Sequence, residues 1–90
     1  MSDKILPVEY FLEVYEGSVG APAYHAQTSA PLSSMGIGDK YNHLASGDWV
    51  EPPKPGERFY ISDIEHIIWE IEGSHIGHKT MVYLEKRKID

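Results

Sequence analysis

The stretch RFYISDIEHIIWEIEGSHIGHKTMVYLEK, residues 58–86, decides how this chain folds. Its second half alternates apolar and polar side chains with the period of two that is typical of a β-strand. Its first half is rich in isoleucine and aromatic residues, which also favour a pleated strand. Gly73 and Ser74 lie between the halves and form a short turn signal. The sequence therefore predicts an antiparallel β-hairpin over residues 58–86.

A helix over residues 62–72 is the alternative interpretation of the first half. Ser62 and Glu65 form a possible capping box, isoleucines recur at helical spacing, and Gly73 would end the helix. Two glutamates would then lie at the negative end of the helix dipole, where acids are unfavourable. The hairpin is favoured, and an α+β fold with this helix stays the alternative.

Three histidines lie on the predicted hairpin. A two-residue turn at Gly73 and Ser74 would put Trp69 opposite His78. The core face of the hairpin would then be formed by Ile67, Trp69, Ile71, Ile76, Thr80, Val82 and Leu84. His66 and His75 would share the other face about 20 Å apart, and His78 would point the opposite way. Ligands of one metal ion must lie about 2 Å from it, so we predict that these three histidines do not form a metal site.

The first strand is predicted over ILPVEYFLEVYE, residues 5–16, because its even positions are all apolar. Residues 17–58 hold most of the glycines and prolines, and a structureless loop of that length is improbable in a compact domain. We expect short strands at residues 23–28 and 39–44. EPPKPGE, residues 51–57, is predicted to be a stiff extended connection because its three prolines lack amide donors.

The predicted fold is all-β: a small, five-stranded, bent antiparallel sheet in a single domain of residues 1–90. It resembles an SH3-like barrel in its strand count and its long early loops, a resemblance that transfers no function. The chain has no cysteine, so disulfides and thiolate chemistry are excluded. No apolar run is long enough to span a membrane and no secretory leader is apparent, so we expect a cytoplasmic protein.

The charge of −6 argues against nucleic-acid binding, which needs a basic surface. The one basic cluster is Lys86, Arg87 and Lys88, close to the C-terminus, and it keeps a weak nucleic-acid binder as the second alternative. No catalytic residue and no cofactor are predicted: a nucleophile-elbow motif is absent, and the glycines of the G-x-G at residues 36–38 are explained by a turn.

Aromatic residues beside the loops are the candidate binding residues: Tyr41, Trp49 and Tyr60. Small β-barrels often bind partners through such aromatics, although they can also plug the ends of a barrel. We therefore predict a non-enzymatic interaction or regulatory module that binds a protein or peptide, with a homodimer through an edge strand as a possible assembly. The first alternative is a small metal-dependent enzyme that uses His25 or His43 with a hairpin histidine.

Overall fold

The computed structural model describes residues 5–17, 20–32, 34–44 and 46–89. Five strands form one sheet that curls into a half-barrel: β1 (Val8–Glu16), β2 (Tyr24–Thr28), β3 (Lys40–Tyr41), β4 (Glu57–Ile71) and β5 (His75–Lys88). No helix occurs within these residues, which confirms the all-β prediction and the hairpin over the helix at 62–72. Accordingly, this part of the chain holds no helix suited to crossing a membrane.

The strand order is β2-β1-β5-β4-β3. Three of the four neighbouring pairs are antiparallel, as predicted, but β1 and β5 are parallel, from Val8 beside Ile76 to Glu16 beside Leu84. A parallel pair needs a long connection, and the three strands between β1 and β5 supply it. The sheet is therefore mixed, because no tight turn fixes the relative direction of its first and last strands.

The core lies on the concave face of the sheet, which we call the core face. Its buried cluster consists of Leu12, Val14, Phe59, Ile61, Val82 and Leu84. The even positions of β1 point to this face, as the alternation predicted. The opposite or outer face is partly covered by aromatic pairs, with Phe11 stacked on Trp69 and Tyr15 on Tyr83 at ring-centroid distances of 5.6 and 5.0 Å.

The hairpin turn contains one residue more than predicted. Ile71 pairs with His75, so Glu72, Gly73 and Ser74 form the loop, and the Ser74 amide donates to the Ile71 carbonyl at 2.9 Å. Gly73 takes the left-handed conformation with φ of 73°, which suits glycine. Because side chains alternate between faces, this shift of one residue moves Ile67, Trp69 and Ile71 from the predicted core face to the outer face.

A β-bulge restores the core at the base of the hairpin. Ile61 pairs with Leu84 and Asp63 pairs with Tyr83, so one extra residue of β4 lies between these two pairs. A bulge reverses which residues of a strand face the core. Ile61 before it is therefore buried in the core cluster, and Ile64 after it packs against the same cluster.

The long connection between β1 and β4 is only partly strand. The strand predicted at residues 23–28 is present as β2 (Tyr24–Thr28), whereas the strand expected at 39–44 is limited to Lys40–Tyr41. Residues 51–57 contain no strand before Glu57, but they are not extended throughout as predicted, because Pro55 and Gly56 form a turn in which the Glu57 amide donates to the Lys54 carbonyl at 2.9 Å.

A buried glutamate ties this connection to β1. The Glu16 carboxylate is 5% exposed and accepts hydrogen bonds from the amides of Val50 and Glu51 at 2.6 and 2.5 Å. A buried carboxylate is tolerated only when donors satisfy it, as these amides do. Glu16 therefore fixes the loop that carries Trp49.

Candidate functional site

The outer edge of the hairpin is open. β3 pairs with β4 only at Phe59 and Tyr60, and Ile61 adds backbone hydrogen bonds to Gly38 and Asp39. Beyond that point, residues 63–71 of β4 have β5 on one side and no described strand on the other. At about 3.3 Å per residue, these nine residues span about 30 Å. We call residues 63–71 the free edge.

Backbone groups of the free edge point to solvent at alternate residues. The Ile71 carbonyl is turned toward the loop and β5, since it accepts from the Ser74 amide. Peptide groups alternate in direction along an antiparallel strand, so those of His66, Ile68 and Glu70 point outward. The Ile64 amide also points away from β5, because it donates a hydrogen bond to the Asp63 side chain at 2.9 Å.

Large apolar side chains flank the free edge on both faces. Ile68 is 69% exposed on the core face, and Ile67 and Ile71 are 42% and 49% exposed on the outer face. Four acids accompany them: Asp63, Glu65, Glu70 and Glu72. No lysine or arginine occurs between residues 59 and 78, so the free edge combines an apolar surface with a negative charge.

The histidines are arranged differently from the prediction. The three-residue turn brings His66 and His78 to the same face, with Nδ1 of His66 3.0 Å from Nε2 of His78. The expectation that His78 points away from His66 was therefore wrong, because the hairpin turn contains one residue more than predicted. His75 does lie apart on the outer face, where it contacts Glu9 at 3.5 Å. His75 therefore does not join the pair formed by His66 and His78.

A cavity of about 240 Å³ adjoins the histidine pair on the core face. The sheet contributes Tyr10, Leu12, Ile64, His66, His78 and Thr80, and the loop after β2 contributes Pro31, Leu32 and Met35. Thr80 Oγ1 lies 3.3 Å from Nδ1 of His66, and the Tyr10 ring is 6.0 Å from that of His78. The histidine pair is thus the polar part of a mostly apolar pocket.

Two of the three predicted aromatic binding residues come together. Tyr41 and Trp49 line a second cavity, of about 410 Å³, and both contact His43. Tyr60 does not join them: it pairs with Lys40 and lies under the Arg87 guanidinium at 4.9 Å. Trp49 also packs on Phe59 at 5.4 Å, so it supports the core as well as lining the cavity.

His43 is held in its neutral form by its surroundings. Its Nδ1 lies 2.9 Å from the Tyr41 hydroxyl, and desolvation lowers the pKa of the imidazole below its ordinary value. Burial also raises the pKa of the Tyr41 hydroxyl. His25 is on β2 opposite Glu13 on the outer face, whereas His43 packs against the neighbouring Tyr24, which lies on the core face, at 4.4 Å between ring centroids. Among the described residues, no group of three or more histidine, cysteine, aspartate or glutamate side chains could hold a metal ion.

Sequence reasoning missed the free edge, although a signal for it was present. The edge is open because β3 has only two residues beside the fifteen of β4, and the sequence did not predict these lengths. The absence of lysine and arginine from residues 59–78 marks the same segment. The histidine pair was missed only because the turn is one residue longer than expected.

Comparison with known proteins adds no relative: the chain matches no protein-family model, no curated protein and no solved structure.

Proposed function

We propose that this chain is a small, non-enzymatic interaction module that binds an extended segment of a partner protein along the free edge of β4. The observation that carries the proposal is the free edge itself, with outward backbone groups at His66, Ile68 and Glu70. Such an edge can accept a further strand, whose main chain supplies the affinity and whose alternate side chains supply the specificity.

The exposed isoleucines support a bound strand. Natural sheets protect exposed edges with short strands, bulges, prolines or charges, because open edges invite aggregation. The free edge carries charges but also Ile67, Ile68 and Ile71, which gain free energy when they are covered. Burial of apolar surface contributes roughly 25 cal/mol per Å².

The charges indicate the chemistry of the partner. Four carboxylates without a basic residue favour a segment that alternates apolar side chains with lysine or arginine. A second copy of this chain would bring four more carboxylates to the same edge. We therefore place a basic strand of another protein, rather than a homodimer, at the free edge, and we propose that this happens in the cytoplasm.

Tyr41 and Trp49 remain predicted contacts for a partner at the other end of β4, beside the 410 Å³ cavity. Tyr60 lies on the opposite face and would need a partner that reaches around the sheet. Because Trp49 packs on Phe59, its replacement by alanine changes stability together with any binding. The free edge therefore offers the cleaner test.

The test uses two octapeptides, one alternating valine with lysine and one alternating valine with glutamate, titrated into the ¹⁵N-labelled protein. We expect the basic peptide to shift the amides of His66, Ile68 and Glu70 and the acidic peptide to shift none of them. Ile68→Pro removes an outward amide and should abolish the shifts. Ile37→Ala is the control, because Ile37 is 68% exposed and precedes Gly38, which hydrogen-bonds Ile61 outside the free edge.

Equal binding of both peptides, or binding that survives Ile68→Pro, would contradict the proposal. Shifts confined to the surroundings of Trp49 would assign binding to the aromatic cavity instead. Sedimentation that shows a dimer dissolved by Ile68→Pro would identify a second copy as the occupant and reject the basic partner.

A further inference from the structure

Two imidazole nitrogens from neighbouring strands face each other on the core face. Nδ1 of His66 and Nε2 of His78 are 3.0 Å apart, a distance that requires a proton between them when both rings are neutral. A neutral imidazole nitrogen without a proton is a ligand for divalent transition metals. A metal ion can therefore replace the proton that holds this pair.

The backbone fixes the spacing of the two rings. His66 pairs with Thr80 and His78 pairs with Ile68 across β4 and β5, so the histidines occupy diagonal positions of one antiparallel ladder. Diagonal neighbours lie within reach of long side chains. β5 is also held on its other side by β1, so the ligands are carried by strands rather than by loops.

The distance between the two nitrogens suits two neighbouring ligands of one ion. With metal–nitrogen bonds of about 2.0 Å, a nitrogen separation of 3.0 Å subtends an angle of about 97° at the ion. Tetrahedral zinc would need about 109°, which corresponds to a separation near 3.3 Å. Square-planar or tetragonal geometry with cis ligands near 90° is the preference of Cu²⁺ and Ni²⁺.

The surroundings leave room for the remaining ligands. His66 is exposed and His78 is half-buried at the border of the 240 Å³ cavity, so water reaches the space between the rings. The Thr80 hydroxyl, 3.3 Å from Nδ1 of His66, is close enough to hydrogen-bond a metal-bound water. Glu70 lies on the same face of β4 and adds negative charge near a cation.

We propose that His66 and His78 form a binding site for a divalent transition metal of square-planar preference, Cu²⁺ first and Ni²⁺ second, with water in the other positions. This proposal is independent of the partner strand at the free edge. The affinity order Cu²⁺ above Ni²⁺ also follows from the general stability series of divalent ions.

The test is calorimetric titration of Cu²⁺ and Ni²⁺ into the full-length, untagged chain, with electron paramagnetic resonance of the copper form. We expect one tight site per chain whose spectrum shows coupling to two nitrogens. His66→Gln and His78→Gln should each weaken the site at least tenfold. His75→Gln is the matched control, because His75 lies on the outer face of the same hairpin and should change the affinity less than twofold.

The double variant His66→Gln/His78→Gln measures binding by other groups of the chain, and circular dichroism verifies that each variant is folded. The proposal is overturned if the double variant binds Cu²⁺ as tightly as the unmodified chain. Loss of the site on His75→Gln alone would overturn it equally, because that residue cannot reach the pair. Tighter binding of Zn²⁺ than of Cu²⁺ would reject the choice of metal, because it would contradict the stability series on which that choice depends.

Discussion

Trp69 packs its indole directly on the backbone of Gly77, the residue opposite it in the β4–β5 ladder. A methyl group at residue 77 would lie 2.1 Å from Cε2 of the indole, which is far inside van der Waals contact. Phe11 stacks on the same indole from β1, at 5.6 Å between ring centroids. Gly77 therefore provides the space in which three strands meet on the outer face.

We expect Gly77→Ala to lower the free energy of unfolding by about 1–3 kcal/mol, the usual cost of overpacking. Trp69→Ala in the same chain should recover part of that loss, because it removes the clashing ring. Urea unfolding of the two single variants and the double variant measures the coupling. Gly20→Ala is the control, since a methyl group there would contact nothing. Additive effects of the two substitutions would show that the contact does not constrain the hairpin.

Proline substitutions distinguish the two sides of β4. The amide of Ile68 points outward, so Ile68→Pro removes no ladder hydrogen bond and should leave the chain folded. The amide of Ile67 points toward β5, so Ile67→Pro should cost about 3 kcal/mol or more. Thermal unfolding of the two variants gives the comparison. Equal losses of stability in the two variants would mean that the amides of Ile67 and Ile68 do not point in the directions described.

Glu16 offers a test of the loop anchor. Its carboxylate accepts from the amides of Val50 and Glu51, and a glutamine would present an NH₂ group to one of them. We expect Glu16→Gln to cost about 1–3 kcal/mol because a buried donor loses its acceptor. Glu9→Gln on the solvent-facing side of β1 should change stability little, since it alters only an exposed ion pair with His75. Chemical unfolding monitored by Trp49 fluorescence checks both.

Stability should decrease on mild acidification because of His43. Desolvation lowers the pKa of this imidazole below 6.5, so the unfolded chain takes up the proton first as the pH falls. The contribution of neutral His43 to the free energy of unfolding is therefore fully present above pH 6.5. It is lost as the pH falls toward the pKa of His43 in the folded state. Titration of the His43 ring protons by NMR gives that pKa, and His43→Gln should flatten the stability profile in this range. A measured pKa above 6.5 would mean that stability increases on acidification, and it would contradict the desolvation of this imidazole.

The strand pattern of this chain was predictable because it depends on local alternation. The apolar even positions of β1 and the hairpin of residues 58–86 were both predicted, and both are present. Alternation also identified Val82 and Leu84 as core residues of β5. The partner of a strand depends on contacts far away in the sequence, so the parallel pairing of β1 with β5 was not predicted.

The faces of β4 were not predictable from alternation alone. One extra residue in the turn exchanges the two faces of a strand, and the bulge between Ile61 and Asp63 exchanges them again. Neither the extra turn residue nor the bulge alters the sequence pattern of apolar and polar residues from which the faces were predicted. The histidine pair and the exposed Ile68 both follow from the first exchange, so the candidate sites were the features that sequence reasoning was least able to locate.

The central position of β5 has a consequence for how the chain acquires its structure. β5 is the last of the five strands along the chain, yet it lies between β1 and β4 and joins the two antiparallel halves of the sheet. Pairing of Val14 with Val82 closes a loop of about three quarters of the sequence, and such long-range contacts slow folding. A nascent chain would hold β1–β2 and β3–β4 as separate fragments until β5 is available, so the complete sheet should assemble late in folding.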